Sequence, residues 1–213
     1  MELKAIISEA LAVLKNGGLI LYPTDTVWGI GCDATNEEAV RKVFALKRRP
    51  DAKSLVLLAS DMDMVARFVR RIPSIANDLV EVNDAPMTII YPDAVVAGEG
   101  KGSAFALAPS AVAEDGSVGI RVPLAGTGGA EFCKQLIYKL RRPLVSTSAN
   151  ISGESAPARF KEISGEILEG VDYAVPPCFS AEGGRVWFDD TATGRSSQII
   201  KLGPGGEVEI IRP

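Results

Sequence analysis

The strongest constraint on the fold is an alternation of amphipathic helices and short, wholly apolar strands in the first half of the chain. Apolar residues recur at helical spacing over residues 3–15, and a glycine-rich stop follows. Leu19–Tyr22 is then a short apolar run typical of a buried strand, which Pro23 ends. The same order recurs with a helix over 37–47 and a strand over 55–59. Such alternation predicts an α/β fold.

The second half of the chain has a different pattern, in which short strands follow one another as in hairpins. We predict further helices near 61–70, 73–81, 127–141 and 160–169, and strands at 87–91, 103–107, 118–122, 143–147, 171–175, 185–189, 197–202 and 207–211. This mixture favours a twisted sheet with parallel and antiparallel strands, flanked by helices. With 213 residues and no internal repeat or linker, we expect a single domain over residues 1–213.

Composition excludes several classes of function. The chain has no histidine, which removes Ser-His-Asp triads, Cys-His pairs and histidine metal sites. Three widely spaced cysteines indicate neither a disulfide framework nor a zinc site, and neither a GxGxxG nor a GxxxxGK[ST] loop occurs. A net charge of −4 argues against broad nucleic-acid binding but allows a local basic cleft. With no long apolar run and no signal peptide, we expect a cytoplasmic protein with no membrane association.

Three polar motifs could carry chemistry. Thr24-Asp25-Thr26 follows the first buried strand, where α/β proteins often bind ligands, although an ordinary turn has the same composition. The segment 47–53 places four cations in seven residues, which suits a polyphosphate but also suits a helix C-terminus. The segment 146–153 is rich in hydroxyls, as in phosphate or ribose sites and in common turns. Arg121 interrupts an apolar strand and needs either a ligand carboxylate or an internal acid.

Together these motifs resemble the YrdC family of L-threonylcarbamoyladenylate synthases, over nearly the whole chain. The family's Tyr-Pro-Thr-(Asp/Glu)-Thr-Val-Tyr-Gly-Leu-Gly segment corresponds to Tyr22–Gly31, with a tryptophan in place of its second tyrosine. Its Lys-x-Arg-Pro signature corresponds to Lys47–Pro50, its Gly-x-Arg-x-Pro strand to Gly119–Pro123 and its Ser-Ala-Asn-x-Ser-Gly loop to Ser148–Gly153. The chain resembles the short form of the family, which lacks an extra C-terminal domain.

The resemblance implies a YrdC-like fold with a concave basic cleft, in which L-threonine, bicarbonate and ATP become threonylcarbamoyl-AMP and pyrophosphate. It implies catalytic roles for Lys47 and Arg49, which we expect to be exposed in the cleft. The residues implied for L-threonine are Thr26, Arg121, Ser146 and Ser197. Those implied for ATP are Lys47, Arg49, Lys53, Ser146, Ser148, Asn150 and Arg212.

The family's known role adds partners and competing functions. Mg²⁺ is expected to arrive on the ATP phosphates rather than in a protein metal site. A separate transferase complex is expected to pass the threonylcarbamoyl group to an adenosine of certain tRNAs. One alternative is a non-enzymatic module of the same fold that binds double-stranded RNA or tRNA. Another is a synthase of a different carbamoyl-adenylate, like the YrdC-like domains of hydrogenase-maturation carbamoyltransferases.

Overall fold

The computed structural model describes residues 1–48, 55–98, 105–124, 126–182, 184–190 and 192–213. The α-helices in these ranges are α1 (Leu3–Lys15), α2 (Glu37–Leu46), α3 (Met62–Phe68), α4 (Ile75–Val82), α5 (Gly128–Leu140) and α6 (Gly165–Glu169). The strands are β1 (Ile20–Tyr22), β2 (Gly29–Gly31), β3 (Val56–Leu58), β4 (Met87–Tyr91), β5 (Val118–Arg121), β6 (Leu144–Ser148), β7 (Tyr173–Ala174), β8 (Cys178–Ala181), β9 (Gly184–Trp187), β10 (Gln198–Leu202) and β11 (Val208–Arg212).

Local sequence accounts for most helix positions. The buried stripe of α1 consists of Ile6, Ile7, Ala10 and Leu14, at the spacing that places side chains on one helix face. Helix α2 begins after Asn36, whose side chain accepts a hydrogen bond from the Ala39 N–H group. Both helices confirm the sequence prediction to within one residue.

The main sheet mixes parallel and antiparallel pairs, which confirms the predicted fold class. Its strand order is β11-β10-β4-β5-β3-β6-β2-β1-β7. Parallel pairs join β3 to β5, β4 to β10 and β1 to β7, while the other neighbours are antiparallel. Strands β8 and β9 form a separate hairpin. Strands that are far apart in sequence therefore lie side by side at the centre of the sheet.

Three stretches differ from the sequence prediction. The predicted helix over 160–169 is wrong in its first half, because residues Phe160–Glu162 form a 3₁₀ turn and α6 begins only after the Ser164 N-cap. Strands β2 and β8 were not predicted. In β2, two of the three residues are glycines, which have low strand propensity, and pairing with β1 and β6 overrides that preference. Part of the predicted strand at 103–107 lies outside the described residues.

Within the described ranges, each helix is too short or too polar to cross a bilayer.

Candidate functional site

A cavity of about 290 Å³ opens on one face of the main sheet. Its floor comes from alternate residues of neighbouring strands, which point to the same face: Val56 of β3, Thr88 and Ile90 of β4, Gly119 and Arg121 of β5, and Ser146 and Ser148 of β6. The loop between β1 and β2 forms one wall, and residues of β10 and β11 form another. The sheet thus brings together segments that are more than 180 residues apart in the chain.

Most of the predicted site residues meet in this cavity. Those that line it are Thr26, Arg121, Ser146, Ser148, Ser197 and Arg212. Arg49 and Lys53 lie outside the described residues, so their roles stay predictions from the sequence. Lys47 and Asn150 are described but do not line the cavity.

The β1–β2 loop presents a tightly bonded pair of threonines to the cavity. The Thr24 hydroxyl donates to the Val27 carbonyl oxygen at 2.8 Å and accepts from the Thr26 N–H group at 3.0 Å. The two threonine hydroxyl oxygens are themselves 2.8 Å apart. The backbone of this loop is held as well, since the carbonyl oxygens of Asp25 and Thr26 accept hydrogen bonds from Thr193 and Gly194. The wall is therefore pre-organised.

Arg121 forms a buried ion pair with Asp25. The two residues are 4% and 1% exposed, and the guanidinium Nη1 donates to Asp25 Oδ1. The second carboxylate oxygen of Asp25 accepts from the Leu124 N–H group at 3.3 Å. The Arg121 Nη2 atom lies 3.4 Å from the Thr26 hydroxyl oxygen. Of the two partners left open by the sequence, the structure selects the internal acid, while the guanidinium still borders the cavity.

The opposite wall is organised around Ser197. Its hydroxyl lies 2.8 Å from the hydroxyl of Thr88, and both side chains are buried. Its carbonyl oxygen accepts two hydrogen bonds from Arg212, from Nε at 2.9 Å and from Nη2 at 2.6 Å. Arg212 therefore fixes the backbone at Ser197 while its side chain lines the cavity. Sequence reasoning missed Thr88, because a single threonine in an apolar strand gives no functional signal.

Lys47 corrects one expectation. The sequence predicted an exposed lysine in the cleft, but Lys47 is only 2% exposed. It caps the C-terminus of α2, and its ammonium group donates to the carbonyl oxygens of Ser148 and Asn150, the latter at 2.6 Å. Its own carbonyl oxygen accepts from the Ser152 N–H group at 2.9 Å. Through these three hydrogen bonds, Lys47 fixes the position of the 148–152 segment.

Asn150 lies within this same segment. Its amide nitrogen donates to the carbonyl oxygens of Ile151 and Glu154, at 3.0 and 2.7 Å. Its Oδ1 atom is buried and meets no donor within the part of the chain that the structure describes. The side chain thus stabilises the turn that follows β6, and its predicted contact with a nucleotide stays a prediction.

Trp28 forms part of the cavity wall, and contacts with Asp189, Phe160 and Phe188 fix its ring. Its indole N–H group donates to Asp189 at 2.6 Å, and its ring packs edge-on against Phe160 and Phe188 at centroid distances of 4.9 and 6.2 Å. Tryptophan N–H groups usually find such a partner when buried. This explains how the chain accommodates a larger ring than the tyrosine of the related motif.

Neither Cys133 of α5 nor Tyr22 of β1 supplies an activated nucleophile. Burial raises the pKa of the Cys133 thiol far above its usual range, and this thiol donates to the Pro23 carbonyl oxygen at 3.3 Å. Burial likewise raises the pKa of Tyr22, whose hydroxyl donates to the Val145 carbonyl oxygen. Both groups therefore stay protonated near neutral pH. The chemistry that the cavity favours is the orientation and charge stabilisation of bound reactants.

No group of three histidine, cysteine, aspartate or glutamate residues in the described ranges could hold a metal ion. Asp25, in the loop that forms one cavity wall, already uses one oxygen for Arg121 and the other for the Leu124 N–H group.

Comparison with known proteins connects this geometry to a family. A sequence profile for Sua5, YciO and YrdC domains, described as "Telomere recombination", matches residues 12–213. A protein of Hahella chejuensis named threonylcarbamoyl-AMP synthase is 30% identical over 88% of this chain and 95% of its own. A protein of the same name from Chromohalobacter salexigens is 35% identical over 78% of this chain and 82% of its own.

Solved structures support the fold assignment. The structure of P. abyssi Sua5 complexed with L-threonine superimposes with a TM-score of 0.74 at 24% identity. It covers 95% of this chain, whereas this chain spans 52% of the P. abyssi protein. The profile match over nearly the whole chain, together with relatives that are at least 30% identical, establishes that the chain belongs to the Sua5/YciO/YrdC family.

Proposed function

We propose that this protein is an L-threonylcarbamoyladenylate synthase, a nucleotidyltransferase that converts L-threonine, bicarbonate and ATP into threonylcarbamoyl-AMP and pyrophosphate. The observation that carries the proposal is the convergence of separate motifs on one cavity: Thr26, Arg121, Ser146, Ser148, Ser197 and Arg212 all line it. Relatives that carry the name threonylcarbamoyl-AMP synthase support the same assignment.

L-threonine would occupy the end of the cavity formed by Thr26 and Arg121. The guanidinium of Arg121 is oriented by Asp25, and in the described part of the chain only two of its N–H groups are engaged, by Asp25 and Thr26. Arginine presents five N–H donors in a fixed plane, which suits a carboxylate. The P. abyssi Sua5 structure, complexed with L-threonine, has the same fold. Ser197, on the opposite wall, would contact the other side of the amino acid.

ATP would occupy the end formed by β6 and the segment after it. The side chains of Ser146 and Ser148 point into the cavity, and Lys47 holds the following loop by two hydrogen bonds. Arg49 and Lys53, which follow Lys47 in sequence, are proposed to bind the triphosphate. Mg²⁺ would enter on the ATP phosphates, since it is usually bound by one or two carboxylates and by substrate phosphates. When bound there, the ion would offset charge on the pyrophosphate leaving group.

The reaction needs orientation more than a protein nucleophile. Bicarbonate gains a proton and loses water to give carbon dioxide, whose carbon the neutral threonine amine attacks, with loss of a proton, to form a carbamate. A carbamate oxygen then bonds to the α-phosphorus of ATP, and the bond to the β-phosphate oxygen breaks as pyrophosphate leaves. Arg121 in the floor and Arg212 in the wall formed by β10 and β11 would position the anionic reactants.

The product would be used outside this chain. We propose that a separate transferase complex accepts threonylcarbamoyl-AMP and modifies an adenosine of tRNA. An acyl-adenylate mixed anhydride hydrolyses readily in water, so rapid hand-over of the product would be favourable.

A pyrophosphate-release assay tests the proposal. Purified protein is incubated with ATP, Mg²⁺, bicarbonate and L-threonine, and each component is omitted in turn. The expected result is release that requires threonine and bicarbonate. Ser148→Ala should lower kcat/KM for ATP about tenfold, the effect of losing one hydrogen bond to a charged ligand. Ser8→Ala is the matched control, because the Ser8 hydroxyl is exposed and bonds only within α1.

Two outcomes would contradict the proposal. Pyrophosphate release that is independent of threonine would exclude the synthase activity. Tight binding of double-stranded RNA without any turnover would favour the binding-module alternative, against which the net charge of −4 already argues.

A further inference from the structure

We infer that Thr24 is a positioning residue that fixes the direction of the hydroxyl proton of Thr26, so that Thr26 faces the amino-acid substrate only as a hydrogen-bond acceptor. This inference rests on the proposed function, since it concerns how the same cavity orients its amino acid. The substrate group next to Thr26 must then be a donor, and we assign it to the α-nitrogen of the amino acid.

The bonding capacity of the Thr24 hydroxyl is fully used. A hydroxyl has one proton and two lone pairs. The Val27 carbonyl oxygen, 2.8 Å away, can only accept, so the single proton of Thr24 points to it. The Thr26 N–H group, 3.0 Å away, can only donate, so it occupies one lone pair. The remaining lone pair faces the Thr26 hydroxyl oxygen at 2.8 Å.

The direction of the bond between the two threonines follows from this count. Because the proton of Thr24 is committed to Val27, only the Thr26 hydroxyl can supply the proton between the two oxygens. If Thr24 donated its proton to Thr26 instead, lone pairs of the Thr24 hydroxyl oxygen and the Val27 carbonyl oxygen would face each other at 2.8 Å. The Thr26 oxygen is thereby left with its lone pairs alone, one of which receives the Arg121 N–H group at 3.4 Å.

The loop cannot easily relax to another arrangement. A Cβ atom added to Gly129, at the start of α5, would lie 2.2 Å from the Thr24 carbonyl oxygen, so helix and loop backbones are in direct contact. The Thr26 carbonyl oxygen accepts from Gly194 at 2.9 Å on the other side. The hydroxyl pair therefore sits on a backbone held from two directions.

Because the Thr26 hydroxyl presents only lone pairs to the cavity, it restricts how the substrate can be oriented. A carboxylate placed against the Thr26 oxygen would bring two acceptors together, whereas Arg121 beside it offers donors. The carboxylate should therefore lie at Arg121 and an N–H group at Thr26. The α-nitrogen keeps at least one N–H bond as ammonium, as free amine and as carbamate, so this contact persists through the proposed reaction.

A double-mutant cycle on the full-length protein tests the inference. L-threonine affinity is measured by calorimetry without ATP for the wild type, Thr24→Val, Thr26→Val and the double variant. We expect Thr24→Val to weaken L-threonine binding about tenfold, as for one hydrogen bond. In the Thr26→Val background the same change should have almost no further effect, because Thr24 acts only through Thr26. Thr24→Ser, which keeps the hydroxyl, should restore wild-type affinity.

Further measurements separate positioning from general loss of structure. Thr35→Val removes a hydroxyl that donates to Asp33 away from the cavity, and should leave L-threonine affinity unchanged. The KM for ATP should change less than twofold in Thr24→Val. If Thr24→Val does not fold, Thr24→Ala, which removes the hydroxyl and leaves a smaller side chain, carries the same measurement.

The outcomes distinguish the inference from the proposed function. Absence of L-threonine binding by the wild type would overturn the proposed function. Binding by the wild type together with unchanged affinity in Thr24→Val, or additive effects in the double variant, would overturn the inference and leave the function intact.

Discussion

Replacement of Gly129 by alanine should disable the site through one backbone contact. The added Cβ atom would lie 2.2 Å from the Thr24 carbonyl oxygen, 2.5 Å from its carbonyl carbon and 3.1 Å from its Cα atom. Ordinary carbon–oxygen contacts are about 3.3 Å or longer, so helix α5 and the β1–β2 loop must separate by about 1 Å. Backbone atoms on both sides leave no flexible side chain to move instead.

The displacement acts directly on the threonine end of the cavity. Thr24 bonds to Thr26, and Asp25 orients Arg121, so a shift of the loop changes one wall and the floor at once. A misplacement of about 1 Å can cost on the order of 10²-fold in rate. Overpacking of this kind also lowers the free energy of unfolding by about 1–3 kcal/mol.

Two measurements check this prediction: threonine-dependent pyrophosphate release and urea unfolding. Gly165→Ala is the matched control, because a Cβ atom there meets nothing within 4 Å, and it should retain wild-type turnover and stability. Wild-type turnover and stability in Gly129→Ala would refute the claim that this contact positions the loop.

Further predictions concern the cavity floor, the buried lysine and an acid-sensitive carboxylate. Gly119→Val should fill the floor of the cavity, because the new Cβ atom would lie 3.4 Å or more from neighbouring side chains and so make only ordinary contacts. We expect turnover to fall at least about tenfold while thermal stability is kept, and full turnover would contradict this prediction. Lys47→Met removes the ammonium donor from the carbonyl oxygens of Ser148 and Asn150, the former of which also accepts from the Asn150 N–H group. It should lower the free energy of unfolding by about 1–3 kcal/mol in urea titrations and lower turnover in steady-state kinetics; loss of turnover alone would show that the ammonium acts only on substrate. Hydrogen bonds from the Ser117 hydroxyl, the Ser117 N–H group and Lys201 lower the pKa of Asp115 to about 2, below its unfolded value of about 3.9. The stabilisation that Asp115 contributes is therefore present above about pH 4 and is lost as the pH falls through about 2. The stability difference between wild type and Asp115→Asn should shrink over that interval in urea titrations, and a constant difference would contradict the assignment.

Elements specified by local pattern were predictable from the sequence. Helix α1 was predicted with its observed bounds, because its apolar stripe and the stop after it are local features. Strand β2 was not, because its existence depends on pairing with β1 and β6. A Cβ atom on Gly31 would lie 2.4 Å from the Val145 carbonyl oxygen. Gly31 therefore permits a close approach between β2 and β6 that the local sequence pattern does not predict.

The site shows the same division between local and tertiary information. The hydroxyl and arginine motifs predicted six of the side chains that line the cavity, since each follows or lies in a buried strand. Whether Arg121 meets Asp25 could not be decided, because the two residues are 96 positions apart and pair only in the folded chain. The exposure of Lys47 was predicted wrongly, because charge density in the sequence does not say that a helix-cap lysine points to the loop behind it.

Product analysis with isotopes tests the central claim most directly. The protein is incubated with ATP, Mg²⁺, ¹³C-bicarbonate and ¹⁵N-L-threonine, and the small-molecule products are identified at once by mass spectrometry. The account predicts an adenylate that contains one ¹³C and one ¹⁵N atom, formed in equal amount with pyrophosphate. AMP and pyrophosphate without a doubly labelled adduct, even immediately after mixing, would contradict it.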